Sequence, residues 1–198
     1  MWIANSTQDV LKSIEWLNVR KRAAKVSTFD FSTLYTAIPH DNPKEAISWV
    51  IMEGFADHKR EKKYNFPFRL RIYENSKDAQ WTKNPKKGIF FVNETKLIGL
   101  IDILLDNIYT EWGGKVLKQI LGIPMGTDCA PFLVNLFLHY YEFKWICSKL
   151  QGVDIENEKA RKSTHNKRFQ DDLITFKCVE FDRYKYEIYM TTKLTVWT

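Results

Sequence analysis

From Val26 to Phe31 the chain alternates with the period of a strand. Val26, Thr28 and Asp30 fall on one face and Ser27, Phe29 and Phe31 on the other, because successive strand side chains point to opposite sides. A second β-prone stretch, Lys167-Arg168-Phe169-Gln170-Asp171-Asp172-Leu173-Ile174-Thr175-Phe176, reads as two short apolar runs joined at a hairpin tip. Elsewhere the period is helical. Ser6 can cap a first helix, with Asp9 three residues on and Val10, Leu11, Ile14 and Leu17 as its apolar face. Asn42 as cap, Pro43 in the first helical position, Glu45 and a terminating Gly54 predict a second. Leu97, Ile98, Ile101, Leu104, Leu105 and Ile108 form a third apolar stripe, with Asp102 and Asp106 outward. A fourth helix, capped by Thr127 or Asp128 and carrying Pro131 in its first turn, runs through Phe132, Asn135, Leu136, His139 and Phe143. The polar run Glu156 to Lys167 reads as a loop. These elements together predict an α+β domain, a small antiparallel sheet packed on helices.

Composition narrows the class. With 198 residues, 44% of them hydrophobic and 15% aromatic, the chain can bury a substantial core in one domain. Cys129, Cys147 and Cys178 are odd in number and widely spaced, which fits neither a disulfide framework nor a zinc site. A reduced, intracellular setting is expected. The N-terminal residues lack a secretion signal, and the most apolar stretches, Leu97 to Ile108 and Phe132 to Leu138, are too short and too interrupted to span a bilayer, so no membrane anchor is expected.

The net charge of +6 is unevenly placed: residues 59–87 carry ten Lys or Arg against three acids, which leaves the remainder slightly acidic. Tyr64, Phe66, Phe68, Tyr73 and Trp81 are interleaved with those cations. Cations pair with phosphates and aromatics stack on bases, so Lys62, Lys63, Lys86 and Lys87 are candidate nucleic-acid contacts. A solvated insertion whose aromatics fill a core is the alternative.

Three acids carry the candidate chemistry. Asp171 and Asp172 are neighbours, and adjacent carboxylates repel; solvation at a hairpin tip or a divalent cation held by oxygen ligands relieves that. Asp30 ends a β-like run where Asp is poorly suited to a strand. Converging, the three could hold two magnesium ions about 3.5–4 Å apart, the arrangement that clamps attacking and leaving oxygens in phosphoryl displacement.

The segments Thr28-Phe29-Asp30-Phe31-Ser32-Thr33-Leu34-Tyr35-Thr36, Gly122-Ile123-Pro124-Met125-Gly126-Thr127-Asp128-Cys129-Ala130-Pro131 and Phe169-Gln170-Asp171-Asp172 resemble, in order, motifs A, B and C of reverse transcriptases. The wording of the first two resembles the Penelope-like retroelement branch, a relative of telomerase, more than the retroviral one. The resemblance covers nearly the whole chain as a partial reverse transcriptase domain: motif A over 26–39, the basic aromatic insertion over 59–87, motif B over 121–143 and motif C over 168–176. It implies a polymerase palm acting as an RNA-templated DNA polymerase. Asp30, Asp171 and Asp172 would be the catalytic acids, with Phe31 beside them in the metal set, Mg²⁺ as cofactor and Mn²⁺ as a substitute. Tyr35, Met125 and Gly126 would line the nucleotide site. RNA template, DNA primer and deoxynucleoside triphosphates would be the partners, and the nucleus the compartment.

Two departures stand out. Phe169 occupies the place where the third motif usually has Tyr, and the larger departure is at the ends; Met125 stands where retroviral enzymes carry Gln, but the Penelope-like pattern accepts Met there. With 29 residues before Asp30 and 26 after Asp172, fingers and thumb are expected to be incomplete. The alternative reading is a truncated, inactive relic that folds and binds nucleic acid without turnover. A viral RNA-copying palm is a third, against which Tyr35 argues.

Overall fold

The structure, a computed structural model, describes residues 3–4, 6–19, 26–31, 34–61, 69–73, 79–82, 90–150, 167–169, 172–176 and 196–197, the side chains of 149, 150, 196 and 197 excepted. In chain order the elements are α1 (Thr7–Val19), β1 (Val26–Phe31), α2 (Asp41–Glu61), β2 (Arg69–Ile72), β3 (Ala79–Thr82), β4 (Phe90–Val92), α3 (Glu94–Asp106), β5 (Tyr109–Trp112), β6 (Lys115–Lys118), α4 (Ala130–Leu150), β7 (Lys167–Phe169), β8 (Asp172–Phe176) and β9 (Val196–Trp197). The fold is mixed α+β with small antiparallel sheets, as expected. It divides into two compact units, residues 1–42 with 121–198, and residues 43–120.

The first unit is built on a four-stranded antiparallel sheet ordered β7-β8-β1-β9. Alternation sets its faces. Phe29 and Phe31 of β1 and Leu173 of β8 are buried on the inner face, while Thr28, Asp30 and Asp172 are exposed on the outer one. Helix α4 lies against the inner side, and Leu133, Val134, Phe137, Leu138 and Tyr140 are buried along it. Ahead of α1 the chain runs beside β7: Ile3 forms a parallel bridge with Arg168, and the Ala4 amide donates to the Arg168 carbonyl at 2.8 Å. Helix α1 starts where Ser6 predicts, with the Asp9 amide donating to the Ser6 carbonyl at 3.1 Å. Lys167, expected at the end of a loop, is the first residue of β7 instead, and the preceding residues of that run lie outside the described part.

In the second unit α2 does not end at Gly54 but continues to Glu61. A helical glycine costs only about 1 kcal/mol relative to alanine. The next residue, Phe55, is buried and meets the Trp81 ring edge-on at 4.8 Å, while His58 stacks on the same indole at 4.3 Å. Those contacts carry the helix past the glycine. The first residues of the basic segment, Lys59 to Glu61, are therefore helical, and β2 and β3 pair inside it, with β4 joining as the order β3-β2-β4.

Helix α3 opens on Asn93, whose side-chain oxygen accepts from the Lys96 amide at 3.0 Å. It closes at Asp106, so Ile108 falls outside the stripe to which its spacing assigned it. The hairpin β5–β6 turns through Gly113 and Gly114 at φ +57° and +73°. Two successive residues at positive φ give the backbone a twist that matches its strands, and glycine adopts it without steric cost.

Candidate active site

Strands β1 and β8, which carry the segments that resemble motifs A and C, are antiparallel neighbours, and their register sets the candidate site. Asp30 is the direct partner of Asp172, two positions along from the Thr28–Ile174 pair. Residues directly opposite on antiparallel strands project to the same face with Cβ atoms about 4.5–5.5 Å apart. Two exposed carboxylates thus share one patch of the outer face. The same cross-strand row continues to Phe169 on β7 and to Trp197 on β9, giving Phe169, Asp172, Asp30, Trp197 in register. Phe169 puts an aromatic ring without a hydroxyl next to Asp172.

Asp171 falls in the two-residue connection between β7 and β8 and lies outside the described residues, as do Lys62, Lys63, Lys86 and Lys87. Among the described residues no group of three or more His, Cys, Asp or Glu gathers at a metal-binding spacing. The donor set nevertheless suits a hard divalent cation, for which carboxylate oxygens are the ordinary ligands. Phe31 is placed differently from Asp30: its side chain is buried on the inner face, so its backbone carbonyl, which also accepts from the Leu34 amide, is what it can present.

After β1 the chain turns through Leu34 to Ile38 and is stitched to motif B by backbone bonds. The Ile123 amide donates to the Tyr35 carbonyl at 2.9 Å, the Gly122 amide to the Ile38 carbonyl at 2.6 Å, and Pro39 bridges Leu121. Tyr35 is half-buried, and the loop that holds Met125 and Gly126 is thereby joined to the motif A turn. Gly122 and Gly126 both sit at positive φ, +88° and +91°. At Gly126 a Cβ would meet nothing within 4 Å, so the glycine answers to backbone conformation, not crowding. Met125 is 68% exposed. Thr127 does not act as a simple helix cap: its hydroxyl donates back to the Pro124 carbonyl at 2.9 Å and closes the turn ahead of α4.

A hollow of about 260 Å³ opens beside Asp172 on the outer face, lined by Thr7, Val10, Thr28, Lys167, Phe169 and Ile174 among others. In the second unit, Arg69, Phe90, Phe91, Asn93 and Lys96 line another of about 320 Å³, which brings two cations beside two aromatic rings. Of the segment's interleaved aromatics, Trp81 is held by Phe55 and His58, whereas Tyr73 lies under the Arg71 guanidinium at 4.5 Å and donates to Gln80 at 2.8 Å.

The inner face holds a feature that sequence reasoning missed. Arg168 is 0% exposed and Glu142, on α4, only 2%. The guanidinium donates from Nε to Glu142 Oε1 at 2.6 Å, from Nη2 to Oε2 at 3.3 Å and from Nη1 to Asn135 Oδ1 at 2.7 Å. Burial holds the nearby His139 imidazole below its ordinary value, with the Glu142 charge opposing and the Arg168 charge adding. That agrees with a histidine packed in a partly desolvated setting.

Neither a family profile nor a curated protein sequence matches the chain. Solved structures do. The structure of apo telomerase from Candida Tropicalis superposes with a TM-score of 0.55 at 14% identity, over 99% of this chain and 31% of that one. The fold is similar to part of the telomerase fold. Telomerase from Candida Tropicalis in complex with a TWJ fragment of telomeric RNA gives 0.54 at 16% identity, over 99% and 28%. The chain thus spans about three tenths of the telomerase chains it matches. No helix among the described residues is long and apolar enough to cross a membrane.

Proposed function

We propose that this chain is the palm of an RNA-templated DNA polymerase of retroelement type, nearest in its motif A and B wording to the Penelope-like branch. The observation that carries the reading is the pairing of Asp30 with Asp172 on the outer face of the β1–β8 ladder. Asp30 and Asp171 would ligate two Mg²⁺ ions, and Asp172, paired with Asp30 across the ladder, would support them with weaker direct contact. Such ions supply neutralisation of charge on the transferred phosphoryl group and a lowered pKa for the attacking hydroxyl. No side-chain nucleophile is required.

The chain's own residues would do the positioning. Tyr35, tied through its carbonyl to Ile123, would place its ring where the 2′-hydroxyl of an incoming ribonucleotide would sit. Gly126, free of a Cβ, lets a ligand approach the backbone, and exposed Met125 offers apolar contact beside it. Arg69 and Lys96, and with them Lys62, Lys63, Lys86 and Lys87, would engage phosphates of template or primer.

Primer extension on an RNA template with Mg²⁺, by a polymerase completed with fingers and thumb around this palm, tests the reading. Synthesis that depends on Asp30 supports it, and nucleic-acid binding without any extension favours the inactive relic. In a chimeric polymerase carrying this palm, Tyr35→Ala should raise ribonucleotide incorporation relative to deoxyribonucleotide, because the excluded volume is lost. A tyrosine that only packs would lower both together.

The basic segment has its own test. Replacing Lys62, Lys63, Lys86 and Lys87 with Gln should weaken binding to all sequences alike. It should also flatten the slope of log affinity against log salt by roughly one for each phosphate contact removed. An unchanged slope assigns those lysines to solubility or to a protein partner.

A further inference from the structure

The buried pair between β7 and α4 is costly to build and lies one residue from the outer-face row. Arg168 is the cross-strand partner of Leu173, as Phe169 is of Asp172. Strand alternation therefore links the two sides of the sheet. While Arg168 points inward, Phe169 and Asp172 must point outward, and a slip of one residue would carry the carboxylate into the core and the guanidinium out of it.

Parity alone would be satisfied by any apolar side chain at position 168. The ion pair adds an axial coordinate. Its acceptors, Asn135 and Glu142, stand seven residues apart on α4, about two helical turns, so the guanidinium is gripped at two points along the helix. A slip of two residues would preserve parity but separate Arg168 from both acceptors, and would bring Asp172 opposite Thr28 instead of Asp30. The backbone of the same residue is also held, by Ala4 and Ile3.

We propose that Arg168 is a positioning residue: anchored to Glu142 and Asn135 of α4, it locks the β7–β8 hairpin in the one register that puts the Asp172 carboxylate beside that of Asp30. This rests on the reading of Asp30, Asp171 and Asp172 as metal-holding acids. Buried ion pairs are retained in some proteins for register, not for stability, since apolar residues of similar volume often serve stability as well or better.

That difference provides the test. The full chain is titrated with Mn²⁺ alone, free ion being followed by electron paramagnetic resonance, with Asp30→Asn as the control and thermal melting as the check on folding. The double variant Arg168→Leu/Glu142→Leu should melt close to the wild type yet bind Mn²⁺ at least tenfold more weakly. Arg168→Lys, which keeps the charge and gives up the fork, should fall between. Wild-type affinity in either folded variant overturns the positioning role and leaves the metal reading standing. Failure of both variants to fold assigns the pair to stability and overturns the role equally. Absence of Asp30-dependent Mn²⁺ binding in the wild type removes the metal reading, and this inference with it.

Discussion

In a polymerase completed with fingers and thumb around this palm, Asp30→Asn should abolish template-directed synthesis while the protein still folds. Asp30 is exposed, its strand neighbours Phe29 and Phe31 supply the buried contacts, and Asn keeps the side-chain shape. What changes is charge: the Asp30–Asp172 pair loses half of its anionic character, and hard divalent ions are held by carboxylate oxygens. Turnover should fall at least a hundredfold, about 2.7 kcal/mol or more of transition-state stabilisation. Mn²⁺ affinity should fall with it, and the urea midpoint should stay near that of the wild type. A variant with full activity would place the chemistry elsewhere.

Glu142→Leu alone should be among the most destabilising single changes in the chain. It leaves the Arg168 guanidinium, fully buried, facing only Asn135 among the acceptors described above. Removing one partner of a buried pair costs about 3–5 kcal/mol, because the remaining charge is desolvated without compensation. A domain of this size is stable by about 5–15 kcal/mol, so the loss would take a large fraction of the total. Urea denaturation reads it directly. A loss below about 1 kcal/mol would mean that water reaches the guanidinium.

Much of the first unit was legible because period-two alternation survives wherever one face of a sheet is covered. Phe29 and Phe31 against Thr28 and Asp30 gave the faces of β1. The meeting of Asp30 and Asp172 followed from ordered motifs, not from local pattern, since 142 residues separate the two. Gly54 misled because the burial of Phe55 and the stacking of His58 on Trp81 are tertiary facts that outweigh a weak local preference. The β5–β6 hairpin was missed although Gly113-Gly114 is a strong turn signal. Its strands are exposed on both faces, Trp112 at 78%, so no alternation marks them. The Arg168–Glu142 pair left no local trace either: an arginine inside a short strand reads as solvated until its partner, 26 residues away, is seen.

The central claim is that the outer face of the β1–β8 ladder holds a metal pair between Asp30 and the motif C acids. Anomalous diffraction from crystals grown with millimolar Mn²⁺ locates such ions directly. Two peaks about 3.5–4 Å apart, with carboxylate oxygens of Asp30 and of the Asp171-Asp172 pair as ligands, are the expected result. An Asp30 carboxylate with no peak beside it, or ions held at other acids only, would contradict it.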